Sequence, residues 1–128
     1  MLPGARYASM VLRGAFVLAL LLGLGFWTTI LSAGGLVLLH MLLGLIVVGS
    51  VWYLGLVQDQ HGGSLGLTLG TFVLGLVVVI FGLAQNGLET AFHSTLPVQI
   101  VHLALGLTAV GLGEMCSGRI RRAAAKRA

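Results

Sequence analysis

The chain has 128 residues, of which 58% are hydrophobic and only 8% carry a charge. Soluble domains devote about a quarter of their residues to charged side chains, so this composition excludes an ordinary soluble fold. A body this small cannot hide so much apolar surface from water, and we expect the surrounding solvent to be a lipid bilayer. The net charge of +4 comes from basic residues at the two chain ends, a distribution that argues against nucleic-acid binding.

Four long apolar runs follow one another along the chain. Each has roughly the 20 residues that a membrane helix needs, and none shows the alternation of a membrane β-strand. The first run is longer than the core of a cleaved signal peptide, so we expect it to be a retained span. Short connections between such helices predict an all-α, up-down-up-down four-helix membrane bundle. The predicted spans are residues 8–31, 36–57, 65–84 and 97–116, followed by a basic tail at 117–128.

The connections differ in character. Gly34 and Gly35 predict a tight turn between the first two spans, because paired glycines accept positive φ and end helices. The polar residues 58–64 predict a wet loop between the second and third spans. Residues 85–96 contain an Asn-Gly pair and predict the longest connection, before a fourth helix that begins near Pro97.

The basic residues indicate the orientation of the bundle. They lie only in the first 13 residues and in the tail, and no predicted connection contains one. The positive-inside bias therefore predicts that both termini are cytoplasmic and that the chain resides in the cell's inner membrane. We expect the tail to contact anionic lipid, and Glu114 to reach the cytoplasmic interface or pair with an arginine of the tail. The basic residues are Arg6, Arg13, Arg119, Arg121, Arg122, Lys126 and Arg127.

Two stretches of the chain are nearly the same. His40 and His102 each begin the pattern His-x-x-x-Gly-Leu-x-x-Val-Gly, just inside the second and fourth spans. Residues 14–20 also resemble residues 70–76 in the preceding spans. The pattern predicts two copies of one helical hairpin in parallel orientation. The histidine motifs are further apart in sequence than the two preceding segments are, which predicts that the connection between the third and fourth spans is longer than the turn between the first and second.

The histidines are the strongest functional candidates, because an ionisable side chain in hydrocarbon is costly and usually marks a function. Both are expected about 8 Å below the external end of their helices. Gly44 and Gly106 lie one helical turn further on, on the same face, and leave room for a flat group against the backbone. Two opposed imidazoles, small residues and apolar walls suit a porphyrin, so His40 and His102 are predicted to ligate one haem b iron.

Other interpretations of these residues stay open. Each histidine alone is readily a hydrogen-bonding partner of a neighbouring helix, and a chlorophyll-type ring is an alternative ligand. A bare metal ion is disfavoured, because no acid or cysteine is expected at that depth. Gln99 is a candidate to orient the ligand or a propionate. His93, four residues after Glu89, either lines the ligand's edge from a short interfacial helix or lies in a wet loop, and we favour the wet loop.

The architecture and the two His-x-x-x-Gly segments resemble membrane b-type cytochromes, above all one four-helix half of the haem A synthase family and, more loosely, the cytochrome b561 type. The resemblance implies that His40 and His102 are axial haem ligands. Met41 and Leu103 follow the histidines where that family has arginine, and no acid precedes His40. Because of this departure, we expect the chain to bind haem but not to oxidise a haem methyl group as the synthase family does.

We therefore expect an electron carrier rather than an independent enzyme, because a haem with two axial imidazoles has no open coordination position. A single haem near one face cannot carry electrons across the whole bilayer. We therefore expect other membrane redox subunits or a second copy of the chain as partners, and a quinone is a candidate electron donor or acceptor. The alternatives are a colourless structural or assembly subunit and a pigment-binding subunit. A transporter is disfavoured, since no broken helix or midplane charge cluster is evident.

Overall fold

The computed structural model describes residues 2–128 and consists of four helices. They are α1 (Pro3–Trp27), α2 (Gly34–Gln60), α3 (Leu65–Phe92) and α4 (Leu96–Ala125). All four are long and apolar enough to cross a membrane, and no strand occurs within residues 2–128. The predictions of an all-helical fold and of four candidate spans are confirmed.

Helix contacts close the bundle. Each helix contacts the next along the chain, and α1 also contacts α4. The diagonal pair α2 and α4 is in contact, whereas no contact joins α1 to α3 within the described chain. The two helices that carry the motif histidines are therefore the pair that meets across the centre of the bundle.

The connection between α3 and α4 differs from the prediction. α3 continues through Asn86 to Phe92, and only residues 93–95 separate it from α4. Side-chain hydrogen bonds one turn apart support the extra turns: Gln85 donates to Glu89 and Thr90 to the carbonyl of Asn86. Because the 1–2 connection spans residues 28–33, the prediction of a longer 3–4 connection is wrong. The extra residues lie in the helix itself.

Helix ends account for the other differences. Gly34 and Gly35 are the first residues of α2 rather than a turn between helices, with Gly34 at a φ of +25°. α2 continues to Gln60, beyond the predicted end of its span. α4 continues to Ala125, so most of the predicted basic tail is an extension of the fourth helix.

The packed core occupies one half of the bundle. We call this the terminal half, comprising residues 3–15, 47–60, 65–75 and 109–125; the remainder of the four helices is the histidine half. Leu12, Val51, Leu54 and Cys116 are fully buried at the centre of the terminal half. Among residues 2–128, the only buried side chains in the histidine half are Ala19 and Val98. The histidine half thus has few fully buried side chains.

Close helix contacts in the terminal half depend on small residues. A Cβ at Gly113 would lie 2.6 Å from Leu12 Cδ2 and 3.2 Å from Val51 Cγ2, so a side chain at this position would separate three helices. Trp52 packs at Gly75 and donates a 3.1 Å hydrogen bond to the carbonyl of Thr71. Small residues permit this approach where lipid gives no hydrophobic drive to association.

Buried polar groups of the terminal half are satisfied. The fully buried amide of Gln58 donates to the carbonyl of Ser64 and to Thr68 Oγ1, each at 2.8 Å, and accepts from the Ser64 N–H at 3.0 Å. Thr68 in turn donates to the carbonyl of Gly55 at 2.9 Å. This network fixes the α2–α3 connection and leaves no polar atom free for a ligand, because each partner is internal.

Candidate functional site

The two motif histidines lie side by side in the histidine half. The ring centroids of His40 on α2 and His102 on α4 are 6.2 Å apart, and the ring planes make an angle of 51°. Contact between α2 and α4 brings the rings together across the bundle centre. Both side chains are half-buried, which suits a site between helices. The structure thus places the predicted ligand residues in one site.

His40 is held firmly by α1. Its Nδ1 lies 2.9 Å from the carbonyl oxygen of Ala19, and the ring meets Phe26 edge-on at 5.9 Å. A carbonyl oxygen only accepts, so this contact requires the proton on Nδ1 and leaves Nε2 with a free lone pair. A Cβ at Gly23 would lie 3.3 Å from His40 Cε1, so the missing side chain lets the ring approach α1.

His102 has apolar neighbours but lacks a polar partner. Its ring stacks on Phe81 of α3, with centroids 6.2 Å apart and planes within 14° of parallel. A Cβ at Gly82 would lie 3.4 Å from His102 Cε1. His102 Nδ1 is the one buried side-chain nitrogen or oxygen without a hydrogen bond among residues 2–128. An unsatisfied buried polar atom costs about 1–3 kcal/mol, so this nitrogen calls for a partner.

Gly44 and Gly106 border open space. A Cβ built at either glycine would meet no atom within 4 Å outside its own helical segment. A glycine that served only close helix packing would show a near neighbour, as Gly55 and Gly75 do. Each lies one turn from its histidine on the same helical face. Gly14 and Gly111 show the same open surroundings, so the space beside Gly44 and Gly106 is not by itself a mark of a ligand.

The site brings together two imidazoles that could each ligate a metal. No group of three or more His, Cys, Asp or Glu side chains able to hold an ion occurs in the described chain. Two imidazoles that ligate one metal from opposite sides, at metal–nitrogen distances of about 2 Å, have ring centroids roughly 6 Å apart. The observed 6.2 Å separation is compatible with such an arrangement, in which His40 and His102 would hold a haem and the haem would supply its remaining metal ligands itself.

Within residues 2–128, no hydrogen bond or ring contact joins the other predicted site residues, Gln99 and His93, to the histidine pair. His93 is exposed, follows the end of α3 at a φ of +52°, and its ring makes no hydrogen bond within residues 2–128. Glu89 belongs to α3 rather than to a short interfacial helix. Gln99 is half-buried on α4, three residues before His102, and its amide has no hydrogen-bond partner in the described chain. His61, which was not a predicted site residue, follows the end of α2, and its ring contacts the carbonyl of Val57.

Sequence reasoning missed the residues that shape the site from α1 and α3. They are Ala19, Gly23, Phe26, Phe81 and Gly82. Each lies in a run of small and apolar residues, where nothing marks it as facing a histidine of another helix. Both spans have a glycine close to a phenylalanine, and this was the one sequence feature that could have indicated these residues. Whether such a pair faces a histidine depends on the rotation of its helix, which the sequence alone does not give.

Glu114 also differs from the prediction. It accepts two hydrogen bonds from the guanidinium of Arg13, 2.7 Å from Nε and 2.8 Å from a terminal nitrogen. The prediction gave two alternatives, the cytoplasmic interface or an arginine of the tail, whereas the partner is Arg13 on α1. A bidentate pair fixes orientation as well as charge, so this contact sets the rotation of α1 against α4.

No protein-family model, curated protein or solved structure matches this chain. The functional proposal therefore rests on the geometry and chemistry of the histidine half.

Proposed function

We propose that this chain is a membrane haem b protein that binds one haem between His40 and His102 and serves electron transfer. The observation that carries the proposal is the pair of half-buried imidazoles with centroids 6.2 Å apart, one of which has a buried nitrogen without a partner. Haem iron with two imidazole ligands passes single electrons and presents no open coordination position.

The chain's own residues supply three functions to such a group. The Ala19 carbonyl holds His40 with Nε2 free, as outer-shell acceptors of ligating histidines do. Gly44 and Gly106 leave space for a flat ring. Phe26 and Phe81 provide apolar walls against the two imidazoles. The resemblance to membrane b-type cytochromes adds support for the same two ligands.

The low burial of the histidine half is compatible with a bound group between α2 and α4. Among residues 2–128, only Ala19 and Val98 are buried in that half, and lipid would cover the outward faces of the same helices. A haem between α2 and α4 would supply apolar surface to both helices. The terminal half would then stabilise the bundle, and the histidine half would bind the cofactor.

The proposal includes a placement in the membrane. The short connections favour an up-down-up-down order, with the two hairpins as related copies. All basic residues lie in the terminal half or beyond its helix ends, which favours cytoplasmic termini and a haem toward the external face of the inner membrane. Electron exchange would then involve a quinol, a larger redox complex or a second copy of the chain.

Haem content of the purified protein tests the function. Protein produced in haem-replete cells should carry about one haem per chain and show a reduced b-type spectrum, and pyridine haemochrome analysis should return protohaem. His93→Ala serves as a control, because no hydrogen bond or ring contact of the described chain joins this exposed histidine to the pair. A colourless wild-type protein that requires another subunit for stability would favour the structural-subunit alternative, and extracted chlorophyll would favour the pigment-binding one.

A further inference from the structure

The two histidines of the site are held unequally. His40 has a hydrogen-bond acceptor, because the carbonyl oxygen of Ala19 lies 2.9 Å from its Nδ1. His102 has none: its Nδ1 is buried without a partner, and its ring stacks on Phe81. An acceptor at the second nitrogen of a ligating histidine fixes the ring and raises its basicity, and loss of this acceptor typically weakens metal affinity about 10- to 100-fold. Of the two candidate ligands, His102 should therefore dissociate first.

The helix that carries His102 also leaves space for its ring to turn. A Cβ at Gly106, one helical turn after His102, would meet no atom within 4 Å. Side chains on a helix lean toward its N-terminus, so a side chain at position 106 would have covered the turn that carries His102. Gly44 leaves similar space beside His40. The hydrogen bond to Ala19 is thus the difference between the two rings, and it restrains only His40.

An imidazole that leaves a six-coordinate haem iron opens one coordination position. We propose that His102 is an exchangeable ligand and that a neutral diatomic gas such as carbon monoxide binds reduced haem in its place while His40 stays bound, an inference that rests on the proposed function. In the exchange the bond between iron and His102 breaks and a bond between iron and the gas forms. No electron or proton is transferred, because the departing imidazole is neutral.

The surroundings of the pair favour a neutral ligand of low polarity. Phe26 and Phe81 flank the two rings, and no side chain within residues 2–128 hydrogen-bonds to either ring. A hydrogen-bond donor stabilises bound dioxygen, whereas carbon monoxide binds without one. All basic residues lie in the terminal half or beyond its helix ends, away from the motif histidines. An anion such as azide would therefore enter apolar surroundings without a positive partner, which is costly.

Carbon monoxide titration of the haem-loaded, dithionite-reduced full chain tests the inference. Wild type should show the low-spin spectrum of two imidazole ligands before the gas is added and a carbon monoxide complex afterwards. The infrared C–O band of this complex should match that of His102→Ala, in which His40 is the remaining ligand. A band that matches His40→Ala, a low-spin protein that excludes the gas, or equally tight azide binding to the oxidised protein would overturn the inference alone. A protein that binds no haem would contradict the proposed function as well.

A hydrogen-bond acceptor supplied to His102 should oppose the exchange. A Cβ at Gly82 would lie 3.4 Å from His102 Cε1, the ring atom bonded to Nδ1, so the hydroxyl of Gly82→Ser can accept from that nitrogen. The apparent affinity for carbon monoxide should then fall about 10- to 100-fold. Gly87→Ser is the control, because a Cβ at this position of the same helix would meet no atom within 4 Å, and it should match wild type. An equal fall in Gly82→Ala, which adds the carbon without an acceptor, would attribute the effect to packing and contradict the role of the missing hydrogen bond.

Discussion

The carbonyl oxygen of Ala19 lies 2.9 Å from Nδ1 of His40, and this contact decides which nitrogen of the ring is free. The hydrogen bond orients the ring from α1, a helix that carries no metal-ligand candidate of its own. His102 has no comparable acceptor, and stacking on Phe81 alone orients its ring. The two proposed ligands therefore differ: one is anchored by a hydrogen bond and the other only by packing.

Enlarging Gly23 should displace His40. A Cβ at this position would lie 3.3 Å from His40 Cε1, and a leucine side chain would push the ring away from Ala19. Loss of an outer-shell partner typically weakens ligand affinity about 10- to 100-fold, so Gly23→Leu should lower haem affinity by that order. Haem titration of the apoprotein measures it. A Cβ at Gly14 on the same helix would meet no atom within 4 Å, so Gly14→Leu should bind haem like wild type. Equal affinities of all three proteins would exclude this role for Gly23.

Filling the open space beside Gly106 should block haem while leaving the fold intact. No atom lies within 4 Å of a Cβ at this position, so Gly106→Leu should preserve helical content by circular dichroism. Haem per chain should nevertheless fall severalfold, because the side chain would occupy the proposed ring site. Gly111→Leu, on the exposed side of the same helix, is the matched control. Full haem loading of Gly106→Leu would place the ring elsewhere.

Haem should order the histidine half selectively. Few buried contacts support residues 34–46 and 96–108, and segments of that kind open most readily. Hydrogen–deuterium exchange of the apo and haem-loaded proteins should show slower exchange in these two segments on loading. Residues 47–60 should change little, since the core already packs there. Uniform protection of all four helices would contradict a local site.

The Arg13–Glu114 pair should couple α1 to α4. Exposed ion pairs contribute up to about 1 kcal/mol, and the bidentate geometry favours the upper end of that range. A double-mutant cycle of Arg13→Gln and Glu114→Gln, read from unfolding in detergent, should give a coupling free energy of about 0.5–1 kcal/mol. A control cycle that pairs Arg13→Gln with Glu89→Gln should give a coupling free energy near zero, because Glu89 contacts Gln85 rather than Arg13. Strict additivity in the first cycle would show that the contact contributes nothing.

Hydropathy was sufficient to predict four helices, because lipid demands long apolar segments and the chain has four of them. Helix ends were less predictable. Asn86 lies in a turn-like Asn-Gly pair, yet side-chain hydrogen bonds within α3 carry the helix past it. The sequence also made the 3–4 connection look long, whereas α3 itself takes up those residues.

The histidine pair was predictable because the same motif occurs twice, at matching depths of helices that meet. The residues around the pair were not. Gly23 and Gly82 approach the rings only because of the rotation of α1 and α3, which cross-helix packing decides. Arg13 was likewise placed in the head of the chain, and its partner Glu114 became evident only from the register of α1 against α4.

The most direct measurement is the absorption and electron paramagnetic resonance spectrum of haem-loaded wild-type, His40→Ala and His102→Ala proteins. Wild type should be low-spin, as two imidazole ligands require. Each variant should lose the low-spin signal, with His40→Ala losing more haem because the anchored ligand is removed. His61→Ala, whose ring contacts Val57 near the opposite end of α2, should match wild type. A fully low-spin spectrum in either His40→Ala or His102→Ala would contradict haem binding between these two residues.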